Sequence, residues 1–198
     1  SSNYIGTRPE IQFEHVETNP EHLQHAMGHG TTGNIWISDT LTDAEIQAAR
    51  DYDNKSKERA ETKKEELENY LYNNGEMNGQ TLADAGLGKE EIDRLYIRLD
   101  NYNEIINRPF SNNALSVDDV IAHEFGHHIA GELGSLGIST NLTGRMLDEI
   151  AAESGALISE YATTSGGEYF AEAYISFVRG EYDKINPDVL NIFIQTRK

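Results

Sequence analysis

Cysteine is absent from all 198 residues. That excludes disulfides, thiolate metal sites and cysteine nucleophiles, so a bound metal must be held by His, Asp or Glu. Positive charge is scarce: 16 Lys and Arg stand against 34 Asp and Glu, a formal net charge of -18. Such a surface repels phosphates and anionic membranes, so nucleic acid is not an expected partner, while a cationic peptide would be drawn in. Long apolar runs are missing too. No stretch approaches the roughly 20 apolar residues that span a bilayer, so no membrane insertion is expected, and neither a charged leader nor an apolar signal core follows Ser1. No internal repeat or low-complexity linker marks a domain boundary, and the length suits one domain with a real core.

What remains is helical punctuation around one short strand. Residues 1–32 are polar and poorly periodic, broken at Pro9 and Pro20, and lead into Gly-Asn-Ile-Trp-Ile-Ser at 33–38, the best strand candidate. Thr42 followed by Asp43 and Glu45 reads as a helix start. The charged helical pattern then runs to about Tyr72 and stops at Asn73-Asn74-Gly75. Its middle is almost wholly polar, which reads as a solvated face or a projecting arm. From Lys89, apolar residues Ile92, Leu95, Tyr96, Leu99, Tyr102 and Ile106 recur at spacings of three and four, a buried stripe that ends at Asn107-Arg108-Pro109.

Ser116 with Asp118 and Asp119 is an N-cap with acids in the first turn. The helix it opens carries Ile121, Phe125 and Ile129 on one face and runs to glycines at 131 and 134. Inside it lies His-Glu-Phe-Gly-His, residues 123–127. His123 and His127 fall one turn apart on one face, so two imidazole nitrogens can converge on a single ion. Glu124 lies about 100 degrees around the helix, placed to reach a water rather than to occupy a ligand position. Metal-assisted hydrolysis needs that arrangement: an ion that acidifies water and polarises a carbonyl, and a carboxylate that moves the proton. His128 points elsewhere and reads as a supporting or surface histidine. The residues 22, 25 and 29 are also histidines, but Gly28 and Gly30 argue against a helix there, so a histidine-containing loop is expected.

A catalytic zinc takes a third protein ligand, and two regions offer one. The first is the run from Ser159 to Tyr174. Phe170, Tyr174, Phe177 and Val178 form its core stripe, which leaves Glu168 and Glu172 one turn apart on another face. These could supply a ligand and a carboxylate behind a histidine, although Ser165 to Glu168 is also a capping box. The second is the helix with Leu147, Ile150, Ala151, Ser154, Leu157 and Ile158 facing the core, where Glu149 and Glu153 share the outer face beside Asp148. Thermolysin-like peptidases place a glutamate ligand at about that distance.

The His-Glu-Phe-Gly-His-His run, followed by Tyr-Ala-Thr-Thr-Ser-Gly-Gly-Glu-Tyr-Phe-Ala-Glu-Ala from Tyr161, resembles the catalytic domain of anthrax lethal factor and its relatives, the Pro-Pro endopeptidases among them, over residues 116–178. The resemblance implies Zn2+ held by His123, His127 and Glu168, with Glu124 as general base. It also implies Glu172 behind a ligand histidine and Tyr161 donating its hydroxyl to the developing oxyanion. Gly166 and Gly167 before Glu168 give an expectation of a loose turn. The implied fold is α+β, a helix-rich zincin-like metallopeptidase with a small β-sheet, as a single domain over 1–198: an N-terminal segment with a strand (1–41), a long polar helix (42–73) and a catalytic core (85–198). The implied function is a zinc endopeptidase acting on a peptide or protein substrate, secreted or virion-associated. The alternative is a structural zinc-binding module of a larger phage or toxin assembly.

Overall fold

The computed structural model describes residues 5–14, 28–31, 34–73, 76–77, 86–138 and 142–197. Three strands come first: β1 (Glu10–Glu14), β2 (Gly28–Thr31) and β3 (Asn34–Ser38). Next are helix α1 (Asp43–Leu71), a two-stranded pair β4 (Tyr72–Asn73) and β5 (Glu76–Met77), and helix α2 (Lys89–Asn107). The remainder is helical: α3 (Val117–Glu132), α4 (Gly144–Ser154), α5 (Gly166–Arg179) and α6 (Pro187–Gln195), with short 3-10 turns at Gly155–Leu157, Tyr161–Thr163 and Tyr182–Lys184. The class is α+β and predominantly helical.

The described residues fall into two compact units, one from 1–50 with 109–198 and one from 51–108. In the second, Leu71 and Leu99 are buried, with Leu67, Ile92, Leu95 and Tyr96 packed against them. Ile92, Leu95, Tyr96 and Leu99 of the α2 stripe therefore do face inward. Residues 89–107, grouped by the sequence with the catalytic core, belong instead to this unit with most of the polar helix.

In the first unit β3 is the central strand. It pairs parallel with β1, Ile35 opposite Ile11, and antiparallel with β2, Trp36 opposite His29. Only the strand at 33–38 was expected. β1 carries a short alternation, Glu-Ile-Gln-Phe-Glu, that went unread in a polar segment, and its Ile11 and Phe13 remain 44% and 60% exposed; β2 is a Gly-His-Gly-Thr run with almost no strand propensity. Ile35 and Ile37 are fully buried and cluster with Ile46, Ala114 and Val120. This seats one face of the sheet on the N-terminal half of α3.

The ends of α3 are tightly tied. Ser116 Oγ accepts from Asp119 N, and Asp43 Oδ1 accepts from Val117 N at 2.7 Å, so two of the N–H groups that a helix start leaves orphaned find acceptors. At the other end His128 lies buried, its Nε2 2.6 Å from the carbonyl of Thr7, while Thr7 N donates to Glu132 Oε2 at 3.2 Å. The histidine expected at the surface or near the metal instead clamps the N-terminal segment to the back of α3.

The larger core lies around α5, whose Tyr169, Phe170, Ala173, Tyr174 and Phe177 are buried together with Ile129, Val189 and Phe193. Val178, placed in that stripe by its spacing, is 49% exposed, since it sits a step beyond the inward face. Leu157 is 65% exposed. The α4 helix ends at Ser154 and tightens into a 3-10 turn, which breaks the helical register that would have carried Leu157 inward.

Candidate metal centre

Two helices build the site. α3 presents His123 and His127, and α5, packed against it, presents Glu168 from its first turn and Glu172 one turn later. Their close approach depends on small residues: a Cβ at Gly126 would lie 2.7 Å from Ala171 Cα and 3.1 Å from Tyr174 Cβ. The glycine between the two histidines is thus the point where the helices touch.

The start of α5 is equally crowded. Gly166 is buried, its N–H donates to Asp148 Oδ1 at 2.7 Å, and a Cβ there would fall 2.5 Å from Leu147 Cβ. The turn expected to be loose is pinned. Ser165 Oγ accepts from Glu168 N at 3.2 Å, so the capping residue foreseen in the sequence is present. Its presence does not use up Glu168, whose side chain turns toward the histidines.

Three ligand atoms converge. His123 Nε2, His127 Nε2 and Glu168 Oε2 lie 3.2 Å from one another on all three sides. A regular tetrahedron with that edge has its centre about 2.0 Å from each corner, the length of zinc bonds to imidazole nitrogen and carboxylate oxygen. Glu168 Oε2 is buried and has no hydrogen-bond partner besides the two imidazoles that face it, so a proton or a cation shared among the three atoms must complete it. The donor set fits a borderline-soft divalent ion, and among the described residues it is the only group of three or more able to hold a metal.

Behind His123, Glu172 is buried at 2% exposure. Its Oε1 accepts from His123 Nδ1 at 2.9 Å, which fixes the ring and leaves Nε2 facing the other two ligand atoms. Its Oε2 accepts from Asn113 N and from Ser159 Oγ, each at 2.7 Å. Asn113 itself is buried and donates from its side chain to Ser176 Oγ at 2.9 Å, and its Oδ1 accepts from Arg179. Arg179 also pairs with Asp119. Neither Asn113 nor Ser159 was singled out from the sequence, because each meets Glu172 across a fold-dependent separation and neither carries a local motif.

Opposite charges shift one another inside this cluster. Burial works to lower the pKa of His123, but hydrogen bonds to Glu168 and Glu172 outweigh it and raise the group to about 9. For Glu168 burial works upward, and the hydrogen bonds and charges of His123 and His127 win, holding it well below the usual carboxylate range. Tyr161 sits on the 3-10 turn before α5, its ring stacked on His123 with centroids 5.8 Å apart. Although the residue is 42% exposed, partial burial and then the charge of Glu168 push its phenol up to about 12. Glu124 is buried, and its charge adds to the upward shifts of both His123 and Tyr161.

The structure thus brings together His123, Glu124, His127, Tyr161, Glu168 and Glu172. It leaves Glu149 outside: that carboxylate is 59% exposed and pairs with Arg145 at 3.1 Å. His22 and His25 lie outside the described residues, as does the side chain of His29. Compared with protein-family models, with curated proteins and with solved structures, the chain matches none.

Proposed function

We propose that the chain is a zinc-dependent endopeptidase of zincin-like fold, resembling the lethal factor catalytic domain, that hydrolyses peptide bonds in a protein substrate. The observation that carries this reading is the 3.2 Å triangle of His123, His127 and Glu168 with Glu124 buried beside it. Zinc held by His123, His127 and Glu168 would supply Lewis acidity there, for a scissile carbonyl and for an attacking water. Glu124 is placed to take a proton from the attacking water and to return it to the leaving amine. Tyr161, with a phenol raised to about 12, stays protonated across the working range and donates to the oxyanion as it develops. Glu172 holds His123 in the tautomer that leaves Nε2 available as a ligand.

A structural zinc site is closed by four protein ligands. Here three converge among the described residues, which favours an open position for water and substrate over the module of a phage or toxin assembly. A net charge of -18 suits the approach of cationic substrate segments.

Elemental analysis and incubation with a mixed peptide library test the reading together. Wild type is expected to carry one zinc per chain and to cleave in a chelator-sensitive way. Glu124→Gln is expected to keep its zinc and lose about 10²-fold or more in kcat. Cleavage at the full rate by Glu124→Gln would sink the mechanism, and zinc without any cleavage in wild type would favour the structural module.

A further inference from the structure

One buried hydroxyl joins the two sides of the candidate centre. Ser159 is fully buried and has a single proton to give. Ala162 N, a donor, lies 3.0 Å from Ser159 Oγ, and Glu172 Oε2, an acceptor when ionised, lies 2.7 Å away. Only one arrangement satisfies both neighbours: the amide donates to the serine oxygen, and the serine proton goes to Glu172. Ala162 is itself fully buried, so its N–H has no recourse to water if the serine oxygen is lost.

The two groups tied by this hydroxyl have different tasks. Glu172 orients His123 through Nδ1. Ala162 belongs to the turn Tyr161–Thr163, which positions the phenol stacked on His123. The same turn also hangs from a neighbouring stretch: Glu160 N donates to Phe110 O at 2.7 Å and Tyr161 N to Ser111 O at 3.1 Å. Two residues further on, Asn113 N reaches Glu172. Residues 110–113, the turn at 159–162 and Glu172 therefore form a closed circuit, and Ser159 is the side chain that links the turn directly to the carboxylate.

We propose that Ser159 is a positioning residue that couples the carboxylate behind His123 to the turn carrying Tyr161, so that metal ligand and phenol hold one fixed relation. The half of this inference that concerns Tyr161 rests on the peptidase reading, whereas the half that concerns His123 needs only a bound metal. A serine that merely satisfied a turn amide would affect folding stability and leave the ligand field alone.

The test uses the full chain as wild type, Ser159→Ala, Ser159→Thr, Tyr161→Phe and the Ser159→Ala/Tyr161→Phe double variant. Zinc affinity is read by competition with a chelator, the ligand field by the visible spectrum of the cobalt-substituted protein, and catalysis by kcat. Ser159→Ala is expected to bind zinc more weakly by up to about 10-fold, the lower end of the range for residues that touch a metal ligand directly, because Glu172 keeps its bond from Asn113 N, and to shift the cobalt bands and lower kcat. Ser159→Thr, which keeps the hydroxyl, is expected to restore all three. In the Tyr161→Phe background the serine change should still weaken zinc binding but cost much less in kcat than it does in wild type. A folded Ser159→Ala protein with wild-type zinc affinity and an unchanged cobalt spectrum would overturn the proposal, as would kcat losses that multiply independently. If Ser159→Ala does not fold, Glu172→Gln takes its place: Tyr161→Phe must then cost less in that background than in wild type, and an equal cost overturns the coupling. A wild type that binds zinc and cleaves nothing removes the peptidase reading alone, and the affinity and cobalt measurements still decide whether Ser159 holds His123.

Discussion

Gly126 meets Ala171 so closely that a Cβ on the glycine would stand 2.7 Å from the alanine Cα. The obstacle is backbone, which cannot swing aside like a flexible side chain, so any substitution must push α3 away from α5. Because His123 and His127 lie on α3 and Glu168 on α5, packing at this point sets the spacing of the three converging atoms. Gly126→Ala is expected to cost about 1–3 kcal/mol of stability, the usual penalty for overpacking, and to weaken zinc binding as well. Thermal melts of the metal-free protein and a zinc titration check this. Wild-type zinc affinity in the variant would mean that the helix spacing does not control the site.

The identity of the third ligand is tested by metal content. Glu168→Ala removes an oxygen that lies 3.2 Å from both imidazole nitrogens, and is expected to lose bound zinc under conditions where wild type stays loaded. Glu149→Ala removes an exposed partner of Arg145, an i,i+4 surface pair worth about 0.3–0.5 kcal/mol, and is expected to keep zinc and fold alike. Zinc loss in Glu149→Ala, or retention in Glu168→Ala, would reverse the assignment.

Much of this site was legible in the sequence because its parts are local. Two histidines four residues apart on a helix announced by Ser116 must share a face, and Glu168 and Glu172 repeat that logic on α5. The periodicity of Phe170, Tyr174 and Phe177 correctly marked the buried side of α5, leaving the carboxylates for another. The unread parts are relationships between distant segments. Nothing in the neighbourhood of Asn113 or Ser159 says that both will donate to Glu172, and nothing near His128 says that Thr7 will be its partner. β2 was unreadable for a different reason: Gly-His-Gly-Thr has no alternating apolar face, and its pairing with β3 comes from backbone hydrogen bonds that every sequence can make. The boundary at Leu157 failed because a helix that tightens to 3-10 shifts the face of each later residue.

The raised pKa of His123 predicts that metal uptake releases a proton. In the metal-free protein His123 titrates at about 9, so at pH 7.5 it carries a proton that an ion must displace. Calorimetry of zinc binding at that pH, in buffers of differing ionisation enthalpy, is expected to show about one proton released per ion from this group. The same shift fixes the direction of metal-free stability. A histidine raised from 6.5 to about 9 contributes stability that is complete below pH 6.5 and lost as the pH climbs through 9. Glu168, lowered from 4.5, contributes stability that is present above pH 4.5 and lost as the carboxylate is protonated in acid. The metal-free melting temperature should therefore fall between pH 6.5 and 9, and Glu172→Gln, which removes one source of the His123 shift, should flatten that fall. No proton release, or a metal-free melting temperature that rises over this interval, would contradict the pairing.

Under the proposed mechanism, Tyr161→Phe should separate the chemistry of the site from its metal binding. The converging atoms belong to His123, His127 and Glu168 and the Tyr161 ring stacks on His123, so Tyr161→Phe, which keeps the ring, should retain zinc at close to wild-type affinity. If the phenol stabilises an oxyanion that exists only during reaction, the loss must appear in kcat, with KM little changed. Removal of one such donor costs about 10²- to 10³-fold. The phenol is raised to about 12 by burial and by Glu168, so it remains a donor throughout the range in which a peptidase is assayed. The alkaline limb of the pH-rate profile should consequently sit at the same pH in Tyr161→Phe as in wild type, on a lower plateau. Steady-state kinetics across pH 6 to 10 on the two proteins decide the point. A variant whose loss lay in KM would make the tyrosine a substrate contact, and one whose alkaline limb vanished would make it the titrating group.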